Sequence, residues 1–467
     1  MVCRNKKIKQ RGDGMNADFK RILGRRDVLA LAFGAMIGWS WVAVAGDWIS
    51  RGGSMGAILA FVGGGLAITL IGLTYAELAA AMPKAGGEHV YTKRALGRGW
   101  SFICTWAIIF AYVGVAAFES IAVAMIAEYF FPAVKSGFLW TIAGHDVYAG
   151  SVAIGMGATL IITLLNIMGV KQAAIFQLIA TVMIVLGGVV LVTGSAINGS
   201  TANFAPLFTT GFAGVAGVLV MVPSMMVGFD VIPQSAEEID LPFKDIGKVL
   251  MLALGMAVLW YVFIIIGVSL ALDEGERMAS TLTTAAASKK MWAHPMAGHL
   301  LVIAGLGGVL TSWNAFVIGG SRAIYALSRA GQLPAVFGKL HPTARTPWAA
   351  ITLIGFICLL SPLLGRQSLV WIIDASGLMI VTTYGLVAAS FLILRKREPD
   401  MERPYRAPYG TFVGWASVLL SIALATLYLP GSPAALIWPH EWALILGWIL
   451  FGAILFGLAK TNKTQGV

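Results

Sequence analysis

Apolar runs of about twenty residues recur twelve times along this sequence of 467 residues. A helix needs about 20 such residues to cross the hydrocarbon core of a bilayer, and the runs lack the alternation of a barrel strand. The sequence therefore predicts an all-α membrane protein with twelve transmembrane helices. The predicted spans are residues 27–50, 55–82, 98–131, 150–168, 172–195, 211–239, 245–272, 297–328, 348–364, 367–394, 411–430 and 438–459.

The composition restricts the class of protein further. Hydrophobic residues make up 58% of the chain and charged residues only 12%. A soluble domain carries roughly 25% charged residues, so this composition excludes a soluble enzyme and a nucleic-acid-binding protein. Most of the 33 Lys and Arg residues precede the first run, follow the last or lie in alternate loops. This distribution predicts a multi-pass protein of the cell membrane with both termini in the cytoplasm.

Two of the predicted spans contain residues that interrupt a helix. The first span has Gly34 and Gly38 near its middle, and the sixth has Gly228 and Pro233. Glycine is also common where transmembrane helices pack closely, which is the alternative interpretation. Because the breaks fall at corresponding places in two five-helix halves, they predict a transporter binding site at the bilayer midplane. Unwound backbone and the ends of half-helices would face the ligand there.

Short motifs near these breaks resemble those of the amino acid–polyamine–organocation permeases. They follow one another in the order found in the first, second, sixth and eighth helices of that family. The motifs are Gly34-Ala35-Met36-Ile37-Gly38, Tyr75-Ala76-Glu77-Leu78, Pro83-Lys84-Ala85-Gly86-Gly87, Gly228-Phe229-Asp230 and Ser321-Arg322-Ala323-Ile324-Tyr325.

The resemblance implies a domain organisation that the runs alone do not. Broken helices 1 and 6 would belong to a five-plus-five inverted repeat that is followed by two extra helices. The expected units are a basic cytoplasmic tail (1–24), the first repeat (25–197), the second repeat (198–400) and a final segment with helices 11 and 12 and a cytoplasmic tail (401–467).

The first motif departs from the family in one respect. Members that carry amino acids usually continue it with Gly-Ser-Gly, whose amides hold the substrate carboxylate. This chain has Gly38, Trp39 and Ser40 instead, followed by Trp41. Backbone amides remain whatever the side chain, so a small amino acid and an amine both stay open as substrates.

The predicted substrate site combines the two breaks with side chains of the third span. Glu119 follows Tyr112 by seven residues, so the two lie on nearly the same helix face. The carboxylate could bind an ammonium, could titrate during transport, or could pair with a neighbouring helix and only fix the packing. Asp230 could bind an ammonium or a proton, or could cap the second half-helix. Trp39 and Trp41 could form a cation–π pocket, a hydrophobic plug or packing contacts. The predicted site residues are Met36, Ile37, Gly38, Trp39, Ser40, Trp41, Tyr112, Glu119, Gly228, Phe229, Asp230 and Val231.

Lys171 is a candidate for the coupling step. By its position alone it is a lysine at the cytoplasmic end of a helix, with its ammonium reaching the interface. Several sodium-independent members of the family carry Gly-Val-Lys at this place, as Gly169, Val170 and Lys171 do here. The resemblance then implies that the ammonium replaces a sodium ion between helices 1 and 8.

These observations predict a sodium-independent secondary transporter that moves a small amino acid or amine by alternating access, as a proton symporter. Exchange of amino acids or amines is the alternative mechanism. A membrane-embedded enzyme or a channel is the alternative class, but the sequence has no nucleophile–base set and no repeated pore loop. The expected partners are the substrate, protons and the lipid bilayer. Neither the three cysteines nor the six histidines have metal-ligand spacing, so no cofactor is expected.

Overall fold

The structure, a computed structural model, describes residues 19–142, 144–432 and 435–459. Within these ranges nine helices are long and apolar enough to cross a membrane, and one pair of shorter helices, bent by 69°, meets the same criteria together. Two shorter apolar helices lie where the ninth and eleventh spans were predicted. The chain is therefore a multi-pass, predominantly helical membrane protein. The count of twelve spans stays a prediction, and most of both predicted cytoplasmic tails lies outside the described residues.

The elements of the first half of the chain follow the predicted spans closely. In order they are α1 (Arg25–Met36), α2 (Ser40–Ala43), α3 (Ala45–Gly52), α4 (Ser54–Ala81), α5 (Glu88–Leu96), α6 (Arg98–Phe130), a 3-10 turn (Pro132–Val134), β1 (Phe138–Ile142), β2 (His145–Tyr148), α7 (Ala149–Met168) and α8 (Val170–Asn198).

The second half begins with a 3-10 turn and contains the other broken span. In order its elements are a 3-10 turn (Thr201–Phe204), α9 (Phe212–Leu219), α10 (Val222–Met226), α11 (Val231–Gln234), a 3-10 turn (Ala236–Glu238), α12 (Phe243–Ala271), α13 (Glu274–Ala279), α14 (Thr283–Met291), α15 (Pro295–Arg329), a 3-10 turn (Ala335–Gly338), α16 (Trp348–Leu360), a 3-10 turn (Ser361–Leu364), α17 (Gly365–Arg397), α18 (Gly410–Thr426) and α19 (His440–Leu458).

Elements in the loops depart from the strictly all-α prediction. β1 and β2 pair as an antiparallel hairpin between α6 and α7, and α5, α13 and α14 are loop helices that hydropathy does not reveal. The sequence does signal the start of α13, because Asp273 and Glu276 have the spacing of a capping box. The Asp273 carboxylate accepts the Glu276 N–H at 2.9 Å, and the Glu276 carboxylate accepts the Asp273 N–H at 3.0 Å.

Helices α6 and α15 are the most buried of the spans and form the centre of the bundle. Helix α1 packs on α15, α8 and α12, while α17 packs on α6. Small residues in α15 allow the first broken span to approach closely, as expected for helices packed in a membrane. A Cβ added to Gly308 would lie 2.5 Å from the carbonyl oxygen of Gly38. The broken span therefore rests directly on the backbone of α15.

Ion pairs and a backbone hydrogen bond join several elements near the ends of α4, α15 and α17. Arg322, near the end of α15, donates from Nε to Oε1 of Glu238 at 2.8 Å, and both side chains are 1% exposed. The backbone N–H of Leu23, just before α1, donates to the carbonyl of Glu238 at 2.9 Å. Glu77, at the end of α4, pairs with Arg395 at 2.5 Å and with Arg403 at 3.0 Å. These contacts join both broken spans to α15, and α4 to α17, on the side rich in Lys and Arg.

Candidate substrate site

The structure brings the two predicted breaks together. The first break separates α1 from α2, and the second separates α10 from α11. Gly228 in the second break has a φ of +131°, a conformation that favours glycine. A Cβ on Gly228 would lie 2.7 Å from the Cβ of Ala35 and 2.9 Å from the backbone nitrogen of Met36. A glycine is therefore required where the two breaks approach each other.

A tyrosine of α12 lies within hydrogen-bond distance of carbonyl groups at both breaks. The Tyr261 hydroxyl lies 2.7 Å from the carbonyl oxygen of Met36 and 3.2 Å from that of Met225, and its one hydrogen can be donated to either. It also lies 3.3 Å from the hydroxyl of Ser40. Carbonyls at helix ends lack intrahelical partners, so the hydroxyl stabilises the half-helix end to which it donates. Sequence reasoning missed Tyr261, although a tyrosine inside an apolar span signals that a polar partner is near.

A small cavity of about 60 Å³ lies between the breaks and the central helices. Five of the predicted site residues line it: Met36, Gly38, Trp39, Ser40 and Glu119. The other lining residues come from α1, α6, the second broken span, α15 and α17, and are Ala35, Val115, Phe118, Ser224, Met225, Val227, Ser312, Phe316, Ile373, Ser376 and Ile380. Among these described residues Glu119 is the one with an acidic side chain, and no Lys, Arg or His lines the wall beside it.

One oxygen of Glu119 is anchored and the other is free. The hydroxyl of Ser312 donates a short hydrogen bond to Oε1, and the backbone N–H of Trp39 interacts with the same carboxylate. Oε2 is buried and has no hydrogen-bond partner among the described residues. A buried carboxylate oxygen without a partner is costly, so a cationic ligand group that reached it would be strongly favoured. Ser312 was missed by sequence reasoning; its only signal is a polar residue inside the eighth span.

Trp39 separates this cavity from a wider one. The wider cavity, of about 620 Å³, lies on the side of the β1–β2 hairpin, and its wall includes Glu128, Tyr129, Asp146 and Trp39 itself. Small-molecule sites usually measure about 300–1,000 Å³, so the inner cavity in this conformation is too small for a ligand to enter without side-chain movement. Because Trp39 lines both cavities, its indole is the group that has to move.

Trp41 lies in a different environment from Trp39. Its ring is fully buried and packs edge-on against Trp260 at a centroid distance of 5.3 Å, and it lines neither cavity. Replacing Trp39 by alanine should weaken substrate binding by about 0.5–2 kcal/mol, or up to about 30-fold in Kd, through loss of a cation–π contact. Replacing Trp41 by alanine should leave Kd unchanged and lower the melting temperature, because it leaves a buried cavity. Equal effects on Kd would contradict this division.

Seven predicted site residues lie outside the lining of the inner cavity: Ile37, Trp41, Tyr112, Gly228, Phe229, Asp230 and Val231. Oδ1 of Asp230 accepts the backbone N–H of Gly228 at 2.8 Å, and α11 has no side-chain cap. Asp230 therefore stands at the N-cap position of α11, but in this conformation its side chain accepts from the residue before the helix and not from the first turn. Tyr112 does not line the cavity with Glu119; its ring packs against Phe316 at 5.3 Å.

The structure does not bring Lys171 into this site. Its side chain is exposed at the first turn of α8. The interface of α8 with α1 and α15 is filled instead by neutral groups: Gln177 donates to the carbonyl of Ala30 at 3.2 Å, and Asn314 donates to Oε1 of Gln177 at 2.8 Å. The resemblance predicted that the Lys171 ammonium lies between helices 1 and 8. In this conformation the Lys171 side chain is exposed instead.

The fold and the site together define a multi-pass membrane protein with a ligand-sized path to a buried cavity that has one carboxyl group in its wall. The described residues contain no group of three or more His, Cys, Asp or Glu side chains that could hold a metal ion. The sequence from residue 23 to residue 453 matches the model of the amino acid permease family, and the chain belongs to that family. The resemblance inferred from the motifs is thereby confirmed.

Curated relatives align with nearly the whole chain. The branched-chain amino acid permease BcaP of Bacillus subtilis is 27% identical over 465 residues, which cover 96% of this chain and 94% of the relative. The methylthioribose transporter of Bacillus subtilis is 24% identical, and the alignment covers 94% of this chain and 93% of the relative. The aspartate-proton symporter of Bacillus subtilis is 26% identical, and the alignment covers 86% of this chain and 78% of the relative. These relatives are named for three different solutes, so similarity alone does not identify the substrate.

Proposed function

We propose that the protein is a proton-coupled symporter that imports a neutral or cationic amino acid by alternating access. The observation that carries this proposal is the cavity at the two helix breaks, whose wall holds a single carboxylate with a free oxygen. An amino acid would place its ammonium on Glu119. Its carboxylate would meet backbone amides freed at the breaks, as at other half-helix termini. A simple amine would satisfy Glu119 alone and remains the second candidate substrate.

The asymmetry of the two sides supports an alternating-access mechanism. A cavity of about 620 Å³ reaches Trp39 from one side. The opposite side is closed by the Arg322–Glu238 and Glu77–Arg395 pairs. We assign the closed side to the cytoplasm because it carries most Lys and Arg residues. In this proposal the twelve helices form a five-plus-five inverted repeat over 25–197 and 198–400, followed by two further helices, and the broken spans rock against α6, α8, α15 and α17.

Proton coupling is supported by one relative whose name includes a proton as the coupled ion. Sodium independence is supported by the neutral amides that occupy the α1–α8–α15 interface, where Gln177 already donates to the carbonyl of Ala30. Uptake into proteoliposomes should therefore persist when sodium is replaced by potassium or choline. Uptake that collapses without sodium would contradict this part of the proposal.

The coupling role of Lys171 stays a prediction, and a substitution tests it. If the ammonium takes part in coupling in another conformation, Lys171→Ala should slow uptake strongly while the yield of folded protein stays normal. Uptake at the wild-type rate would leave Lys171 as an exposed lysine at a helix end.

A thermal-shift panel on the purified protein tests the substrate class. A ligand present at 100 times its Kd raises the free energy of unfolding by about 2.7 kcal/mol. At least one ligand with an ammonium and no net negative charge should raise the melting temperature. The panel of such ligands is leucine, alanine, lysine, ethanolamine and putrescine. Glutamate should not raise the melting temperature, because its second carboxylate would meet Glu119 in a weakly screened cavity. The largest shift with glutamate would show that the charge argument is wrong.

A further inference from the structure

A second group of buried carboxylates lies outside the substrate cavity, between the loop helix α5 and the second broken span. Glu88 begins α5, and Gln234 ends α11. The Gln234 side-chain amide donates a short hydrogen bond to Oε2 of Glu88, and the Gly86 N–H donates to the Gln234 carbonyl at 3.3 Å. Glu88 and Gln234 are completely buried, and Oε1 of each has no hydrogen-bond partner among the residues that the structure describes. The contact therefore ties the loop to the broken span and leaves polar atoms unsatisfied.

Asp230 supplies the second carboxylate of this group. Its Oδ1 accepts the Gly228 N–H, while Oδ2 is buried and has no hydrogen-bond partner in the described part of the chain. The hydroxyl of Tyr75 faces Glu88 and that of Tyr112 faces Asp230, each as a donor held outside the geometry of a regular hydrogen bond. Each carboxylate therefore has a weak tyrosine donor and one oxygen that is not fully satisfied.

The two carboxylates also lack a compensating charge. In the part of the chain that the structure describes, neither Glu88 nor Asp230 forms an ion pair, whereas the buried Glu238 pairs with Arg322. His89 is adjacent, but burial lowers the pKa of its imidazole to about 3, so the ring is neutral. An ionised carboxylate buried without a partner binds a cation or takes up a proton. The titratable groups that face the pair are Tyr75, Tyr112, Tyr384 and Cys104 from the neighbouring spans and Tyr91 from α5 itself, while His89 interacts with Lys93.

We propose that Glu88 and Asp230 form the proton site of this transporter, separate from the substrate carboxylate Glu119. This inference rests on the proposed proton symport. A proton bound to Oε1 of Glu88 removes one of the two negative charges of the pair and gives that carboxyl a donor for the neighbouring oxygen acceptors, while the charge of Asp230 favours the protonated form of Glu88. When α5 separates from the second broken span on the cytoplasmic side, water reaches the pair and accepts the proton.

A proton suits this site better than a metal cation does. The Gln234 amide points a donor N–H at Glu88, and that N–H would repel a cation bound at the same oxygen. The backbone is also closely packed, since a Cβ on Gly87 would lie 3.0 Å from the Cβ of Pro233. Burial and the nearby Asp230 raise the pKa of Glu88, so the proton is held while the site is closed. Hydration on opening lowers that pKa toward its usual range and releases the proton.

Glu88→Gln tests the proposal, because glutamine mimics the protonated carboxyl and cannot release a proton. The assay follows labelled leucine or lysine, whichever gives the larger thermal shift, in proteoliposomes. With one proton per substrate, the wild type should accumulate it up to about tenfold across a gradient of one pH unit. The variant should show no accumulation driven by the gradient, while exchange between labelled and unlabelled substrate stays within about twofold of the wild type. Glu398→Gln, in an exposed ion pair with Arg94, is the matched control and should accumulate normally.

Each outcome is informative. Accumulation by Glu88→Gln with the pH dependence of the wild type would overturn the proton site while leaving proton symport intact. Exchange by the wild type without any accumulation in a pH gradient would overturn proton symport itself, and the site with it. If Glu88→Gln does not fold, Glu88→Asp provides the test: it keeps a carboxyl and should retain accumulation with a shifted pH profile. Accumulation by Glu88→Asp with the unchanged pH profile of the wild type would also overturn the proposal.

Discussion

Replacing Glu119 by glutamine is expected to weaken leucine binding by at least about 30-fold. Removing one partner of a buried, hydrogen-bonded charge pair costs about 2 kcal/mol or more, and every 1.4 kcal/mol is a factor of ten in Kd. Glutamine has nearly the same shape, and its amide oxygen can still accept from the Ser312 hydroxyl, so the fold should be kept. Equilibrium binding of labelled leucine to the purified variant measures the effect.

The control for this substitution lies on the same helix. Glu128 lines the wider cavity, where it accepts from the Ser151 hydroxyl at 2.5 Å and pairs with Lys135 at 3.5 Å. Glu128→Gln removes the same charge outside the inner cavity and should change the Kd for leucine by less than about threefold, since exposed pairs contribute little. If Glu119→Gln binds leucine as the wild type does, Glu119 is not the ammonium partner.

Replacing Arg322 by alanine should cost about 3–5 kcal/mol of unfolding free energy. The loss is large because Glu238 would remain buried and unpaired beneath the closed side of the bundle. Denaturant unfolding in detergent micelles measures it. Arg94→Ala is the comparison, because the Arg94–Glu398 pair is largely exposed and should contribute less than about 1 kcal/mol.

A double substitution separates the lost attraction from the unpaired charge. Arg322→Met combined with Glu238→Leu removes both charges and should recover most of the stability lost in Arg322→Ala, because apolar packing often replaces a buried ion pair without loss. A double variant as unstable as Arg322→Ala would show that the side chain of Arg322, including its position over the Phe19 ring, contributes more than the compensation of Glu238.

The spans and their breaks could be predicted because both follow from local chemistry. Apolar length indicates a helix that crosses a bilayer, and Gly228 with its positive φ marks the place where a helix cannot continue. Glu119 could be selected because a carboxylate inside a span is costly unless it has a function. The β1–β2 hairpin was missed although aromatic and β-branched residues flank Gly144, a pattern typical of a hairpin.

The partners of these groups could not be predicted because they join distant parts of the chain. Ser312 meets Glu119 from another span, and Gln234 meets Glu88 from the other half of the chain. Trp39 lines the cavities and Trp41 packs against Trp260, and this difference depends on how the backbone turns at the break. Two residues this close in sequence cannot share a face of a regular helix. The coupling role of Lys171 was predicted from the resemblance. The residues next to it in the sequence do not show whether a side chain at the end of a helix is buried or exposed.

The account depends most on the claim that an ammonium, held by Glu119, carries the affinity of the substrate. Two analogues of leucine separate its charged groups: isoamylamine lacks the carboxylate, and isocaproate lacks the ammonium. Their competition against labelled leucine, measured on the purified wild-type protein, tests the claim directly. Isoamylamine should displace leucine, and isocaproate should not displace it at the same concentration. Displacement by isocaproate with none by isoamylamine would contradict the account, because the cavity would then recognise a carboxylate beside its own buried one.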